Sequence, residues 1–255
     1  MDEATEGSTP LPPPPPDGLV GQNYNTKPLN GLLTSITVLV PITAGLGLLF
    51  ALLNELALDD AQMFLSGAMS ETDFVASYGP GLTLQLAQTL TQLGAGITVI
   101  MWMRRLASHH EQLGRVATWR PAWAIGGWFV PPLILYIIPF LMFRELWKAT
   151  DLEQDSWNKA PASPLITSWF IAFGVVPTGL AIRQWLDRSP LVGSGATAIA
   201  ETAINQRFII WGSALASVAA AALFVTFARQ LTRRHQRSEE HTSELQSPCN
   251  LVCRL

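Results

Sequence analysis

The chain has 255 residues, 49% of them hydrophobic and 14% charged, with a formal net charge of −3. Soluble domains average about 25% charged residues, so the deficit points to lipid wherever the apolar residues fall in long runs. The small negative balance, with no basic helix carrying interleaved aromatics, excludes a nucleic-acid partner.

Residues 1–30 are expected to form a disordered, Pro-rich N-terminal linker. The stretch TPLPPPPPDG favours the polyproline II conformation, whose backbone stays solvated; docking into an aromatic-lined groove is the sharper alternative. The chain opens on Asp2, Glu3 and Glu6, unlike the basic start of a cleaved signal peptide, so the first apolar run is expected to be an uncleaved span.

Five runs approach the roughly 20 apolar residues that a crossing needs: Leu32–Leu53, Leu82–Met103, Ala122–Phe143, Leu165–Ile182 and Phe208–Phe227. None contains Asp, Glu, Lys, Arg or His. The expected fold is therefore all-α, a multi-pass transmembrane helical bundle over residues 31–236 with five hydrophobic segments, the third broken by prolines. The lipid bilayer is the implied partner.

The loop after the first run carries Glu55, Asp59, Asp60, Glu71 and Asp73, whereas Arg104, Arg105, Arg115 and Arg120 follow the second. Basic loops stay cytoplasmic, which predicts a cytoplasmic N-terminus. The third run, WAIGGWFVPPLILYIIPFLMF, contains Pro131, Pro132 and Pro139, and each proline interrupts helical hydrogen bonding. Length leans to a kinked span. The charge rule prefers a segment that re-enters and returns to the same side, leaving only Arg183, Arg188 and Arg207 outside.

Within the second run, Gln85, Gln88, Thr89 and Gln92 share one helical face. They predict hydrogen bonds between helices first, and the polar lining of a solute path or binding cavity second. In the fifth run Gly212, Ala216 and Ala220 form a small-residue stripe beside Ser213, Ser217 and Ala221. It predicts close packing within the chain, with a homo-oligomer or membrane-protein partner as the lesser option. Trp102, Trp123, Trp147, Trp169, Trp185 and Trp211 lie near run ends, where interfacial anchoring is the default.

Candidate chemistry is sparse. In Ser108-His-His-Glu111 the adjacent histidines point about 100° apart on a helix, unlike the four-residue spacing of helical zinc ligands, so a solvated segment is expected. No nucleophile, phosphate-loop or metal-ligand motif appears, which predicts neither catalytic residues nor cofactor nor metal. Arg229-Gln-Leu-Thr-Arg-Arg-His-Gln236 reads as a basic anchor for anionic headgroups. In Phe143-Arg-Glu-Leu-Trp-Lys-Ala-Thr150 an Arg or Lys is expected to pair with Glu145 at the membrane surface.

The combination of Trp123, Gly127, Trp128, Phe129, Pro131 or Pro132, Pro139, Arg144, Glu145 and Trp147 resembles the motif of the domain of unknown function 4328 family. Those are uncharacterised bacterial multi-pass membrane proteins. Trp102, Arg105 and the closing Arg-Arg-His-Gln fit as well. The resemblance spans about residues 82–236 and implies a bacterial plasma-membrane location without an activity. This chain departs from the pattern at Leu133–Leu135 and at Phe140 and Leu141, where polar groups are expected.

Residues 237–255 resemble the translation of a sequencing-library adapter, so they are expected to be an artefactual tail that also holds Cys249 and Cys253. The sequence thus predicts a non-enzymatic structural, adaptor or regulatory membrane component, with a small-solute transporter or channel component as the alternative.

Overall fold

A computed structural model of the chain describes residues 29–112, 119–129, 136–151, 159–186 and 195–245. Most of the Pro-rich linker, Pro131, Pro132 and both cysteines lie outside them. Every regular element among the described residues is helical.

Helix α1 (Asn30–Leu56) runs 27 residues, and a short α2 (Leu58–Leu65) turns the chain into the 42-residue α3 (Glu71–Gln112). Both long helices carry threonines whose hydroxyls donate to the carbonyl one turn back: Thr34 to Asn30, Thr43 to Leu39 and Thr98 to Gly94, at 2.8–2.9 Å. Such bonds satisfy a hydroxyl on an apolar helix without any neighbour.

The third hydrophobic run is not one helix. It yields the single turn α4 (Trp123–Gly126) and α5 (Ile137–Ala149), which starts at Tyr136 in the left-handed region (φ 55°). Next comes α6 (Pro164–Phe170), with Pro164 in its first turn and the Leu165 N–H donating to the Ser163 hydroxyl at 3.3 Å, the usual chemistry of a helix start. A π-helical turn (Ile171–Val175) leads into α7 (Val176–Leu186) without a break in the helix. Helices α8 (Ala196–Asn205) and α9 (Arg207–Leu245) complete the chain. Helix α9 continues through Gln236, across the boundary set by the adapter resemblance.

Among the described residues three stretches are long and apolar enough to cross a membrane: Asn30–Leu56, Pro164–Leu186 and Arg207–Arg237. This corrects the expectation of five. The second run falls short because Gln85, Gln88 and Gln92 lower its hydropathy, and the third because it is divided between two short helices. Three apolar helices mark the chain as a membrane protein.

Side-chain contacts give the two ends of the bundle. At one end Asn54 Nδ2 donates to the Ala203 carbonyl (3.4 Å), Arg207 pairs with Glu55, and Gln184 donates to Gln206 (2.5 Å). At the other, Gln236 donates to Asn30 (2.9 Å) and the Trp102 indole to Thr232 (3.2 Å). Helices α1 and α6–α7 therefore run one way, and α3 and α9 the other. The residues that flank the third run lie together at the Asn30 end, where the Trp119 N–H donates to Glu145 Oε2 at 3.3 Å.

The main core fills that end with aromatic rings. Phe143 contacts Trp102, Trp169, Phe224 and Phe227 at centroid distances of 5.3–6.1 Å. Trp102, Trp147 and Trp169 are buried, so these three hold the core and are not the interfacial anchors expected of them. Trp123 and Trp185 remain exposed. A smaller cluster at the opposite end joins α2, α3 and α8 through Ala61, Phe74 and Ala200.

Candidate functional site

Helix α9 packs against both α1 and α7, while α3 packs against α1. Between α3 and α7 lies a cleft backed by the small residues of α9. Its first cavity, of about 500 Å³, is lined by Gln85, Gln88, Gln184, Gln206, Ser213 and Ser217 among others. A second, of about 960 Å³, is lined by Gln92, Tyr136, Phe170, Phe173, Trp185 and again Ser217 among others. No charged side chain among the described residues lines either cavity.

The glutamine stripe therefore divides. Gln85 and Gln88 face the first cavity and Gln92 the second, whereas Thr89 lines neither and gives its hydroxyl to the Gln85 carbonyl at 2.9 Å. The expected bonds between helices are not formed: the amides of Gln85, Gln88 and Gln92 make no hydrogen bond to another described residue. The physical reason is room. Opposite Gln88 stands Gly47 of α1, and a Cβ there would lie 2.7 Å from Gln88 Nε2. The neighbour is a glycine without a polar side chain, so the amide is left facing the open cleft.

Sequence reasoning missed the partners that complete this lining: Tyr78, Gln184, Gln206, Ser213 and Ser217. Tyr78 donates to Asn54 Oδ1 at 2.6 Å, which fixes α3 to α1 beside the cavity. The serines had a visible signal, since they lie one step off the small-residue stripe. The Gln184–Gln206 contact joins a residue of α7 to one just after α8, 22 positions apart, and no local pattern announces it.

At the Asn30 end the motif residues converge around three histidines. His109 Nδ1 and His235 Nε2 lie 2.9 Å apart with stacked rings, and the His110 ring stands edge-on to His235 at 5.0 Å. All three are buried, which corrects the expectation that His109 and His110 are solvated. Their burial follows from α9, which brings His235 against the last turns of α3. Burial, and then the nearby positive charge of Arg105, push the His109 imidazole below its ordinary value. Among the described residues no group of three His, Cys, Asp or Glu is arranged to hold a metal.

Around this junction Glu145 accepts from the Trp119 backbone and lines a small void with His110. The Arg234 guanidinium lies 4.2 Å over the Trp147 ring, and Arg144 lies 5.5 Å over Phe140. Gly127 and Pro139 are buried, while Phe129 is 77% exposed. The motif thus splits into a packed set (Trp102, Gly127, Pro139, Trp147) and outward-facing groups (Trp123, Phe129).

Residues 67–242, more than half of the chain, match the sequence model of a family described as a domain of unknown function (DUF4328). No curated protein and no solved structure matches the chain.

Proposed function

The chain belongs to the domain of unknown function 4328 family, and we propose from its geometry that it is a non-enzymatic, multi-pass protein of the bacterial plasma membrane whose cleft takes up a small, neutral, polar solute. In this reading α1, α6–α7 and α9 cross, α3 crosses with them packed along α1 although its glutamines hold it below the hydropathy of a free-standing span, and the third hydrophobic segment re-enters from the cytoplasmic side without crossing. The re-entrant arrangement is supported by the Trp119–Glu145 contact, which joins the two ends of that segment. It also gathers Arg104, Arg105, Arg120, Arg144, Lys148, Arg229, Arg233 and Arg234 at one end of the bundle, as a cytoplasmic face requires. Glu55, Asp59, Asp60, Glu71 and Asp73 fall at the other end.

The observation that carries the reading is the row of amides on α3. A primary amide facing hydrocarbon without a partner costs several kcal/mol, roughly 2–7 by reference state. Three of them on one helix are tolerated where water or a polar solute occupies the space beside them. The lining carries no formal charge, so it suits a neutral molecule that both donates and accepts hydrogen bonds. A structural or adaptor role, the first expectation from sequence, accounts for the aromatic core but gives these amides nothing to do.

The test is cysteine accessibility in the full chain with Cys249 and Cys253 replaced by serine. Gln88→Cys and Ser213→Cys react with a membrane-impermeant thiol reagent added outside, because the cleft is wet. Leu90→Cys, on the exposed apolar side of α3, stays unreactive, because a thiolate does not form in lipid. Silence at both cleft positions removes the solute reading.

A further inference from the structure

The second cavity differs from the first in its walls. Phe170, Phe173, Trp185 and Ile137 dominate its lining, and its polar groups are Gln92, Tyr136, Thr178 and Ser217. The Thr178 hydroxyl is already committed to the Gly174 carbonyl at 2.5 Å. Its rim is apolar and exposed: Val175, Ile182 and Trp185 are between 51% and 70% exposed. These residues sit along the α6–α7 crossing, so the cavity opens sideways, toward acyl chains.

Two unusual pieces of backbone meet at this cavity. Tyr136 is the one non-glycine residue with positive φ among the described residues, a sparsely populated conformation for a side chain with a Cβ. Its ring is held between Trp128 (5.8 Å) and Phe173 (4.9 Å). Facing it is the π-helical turn Ile171–Val175, where a Cβ on Gly174 would stand 3.3 Å from the Phe170 ring and 3.7 Å from the Tyr136 ring. Single π-turns and strained residues recur where a ligand is held. The indole N–H of Trp128, behind Tyr136, is buried with no hydrogen-bond partner among the described residues.

We infer that this second cavity is a binding site for an uncharged long-chain lipid with a hydroxyl or carbonyl head, drawn laterally from the bilayer. The chain lies along Phe170, Phe173 and Ile182, and the head bonds the Gln92 amide and the Ser217 hydroxyl. The absence of any charged side chain among the described lining residues makes the site a poor host for a phosphate headgroup, whose ionic oxygens would lose their hydration with no cation in exchange. A mostly apolar concavity with a few convergent polar groups is the usual form of a small-molecule site. The inference rests on the membrane placement of α6–α7 and not on a solute in the first cavity.

The experiment uses the full chain in vesicles of phosphatidylethanolamine and phosphatidylglycerol, with octadecanol carrying a photoactivatable diazirine as probe. Cross-links are mapped by peptide mass spectrometry. They concentrate on Phe170–Ile182 and on Ile137, several-fold above the exposed apolar residues Leu86, Leu90, Leu93 and Ile97 of α3, and excess unlabelled octadecanol displaces them. Ala181→Trp, which fills the cavity from its exposed rim, abolishes them, and Gln92→Leu lowers them several-fold. Gln88→Leu, in the first cavity, leaves them unchanged, which separates this site from the solute reading. Cross-links spread evenly over α3 and α7, or persisting in both Ala181→Trp and Gln92→Leu, would mean bulk lipid only and overturn the site.

Discussion

Gln88 of α3 occupies the space that Gly47 of α1 leaves empty: a Cβ on Gly47 would stand 2.7 Å from the Gln88 amide nitrogen. Only the far end of a flexible side chain would be displaced. Gly47→Ala therefore keeps the fold but pushes the amide further into the cleft. The measurable outcome is slower labelling of Ser213→Cys across the cavity, with little change in thermal midpoint.

Replacement of the amide itself separates a wet cleft from a dry one. If water or solute satisfies it, Gln88→Leu changes stability by less than about 0.5 kcal/mol, the range of ordinary surface substitutions. In a dry cleft the same change would remove an unpaired polar group and stabilise by about 1–3 kcal/mol. Thermal unfolding in detergent, followed by tryptophan emission, decides between them.

Gly127, a motif residue, has no room for a side chain. A Cβ there would lie 2.6 Å from Ile138 Cγ2 and 2.8 Å from the Trp123 carbonyl oxygen, whereas beside Gly126 nothing lies within 4 Å. Gly127→Ala is expected to cost about 1–3 kcal/mol by overpacking, and Gly126→Ala to be tolerated. Equal thermal midpoints for the two variants would contradict the close approach of α4 and α5.

The indole of Trp102 donates to Thr232 at 3.2 Å within the aromatic core, and both residues are almost fully buried. Trp102→Phe orphans the threonine hydroxyl and loses ring area, a loss of about 1–3 kcal/mol for the unsatisfied group alone. Thr232→Val in that background recovers part of it. A double-mutant cycle with no coupling would show that α3 and α9 are not joined there.

The histidine junction makes stability depend on pH. His109 titrates below its ordinary value because it is buried and because Arg105 lies near; His110 and His235 face it from α3 and α9. The unfolded chain, with His109 near ~6.5, then binds its proton first as pH falls. Stability is full above ~6.5 and is lost as pH drops from there toward the lower folded value. Thermal midpoints measured across that window fall for the wild type and fall less steeply for His109→Gln.

Much of the helical architecture was legible in the sequence, because uncharged apolar runs leave few alternatives. What was not legible depends on who packs against whom. The tryptophans at run ends looked like interfacial anchors, yet Trp102 and Trp169 meet Phe224 of α9, far away in sequence. Paired histidines looked solvated because their cover, the last turns of α9, lies more than a hundred residues away. The glutamine stripe was visible at once. Its division between two cavities was not, since Ser213, Gln184 and Gly47 come from three other helices.

Side-specific labelling on either side of α6–α7 tests the central claim, the re-entrant third segment, most directly. In a chain truncated after Gln236, which contains no cysteine, single cysteines are placed at Asn158 and at Ser194 and treated with an impermeant thiol reagent in intact cells. The account predicts labelling of Ser194→Cys and none of Asn158→Cys. Labelling of Asn158→Cys with Ser194→Cys silent would mean that the third segment crosses, and would contradict the fold of the cleft proposed here.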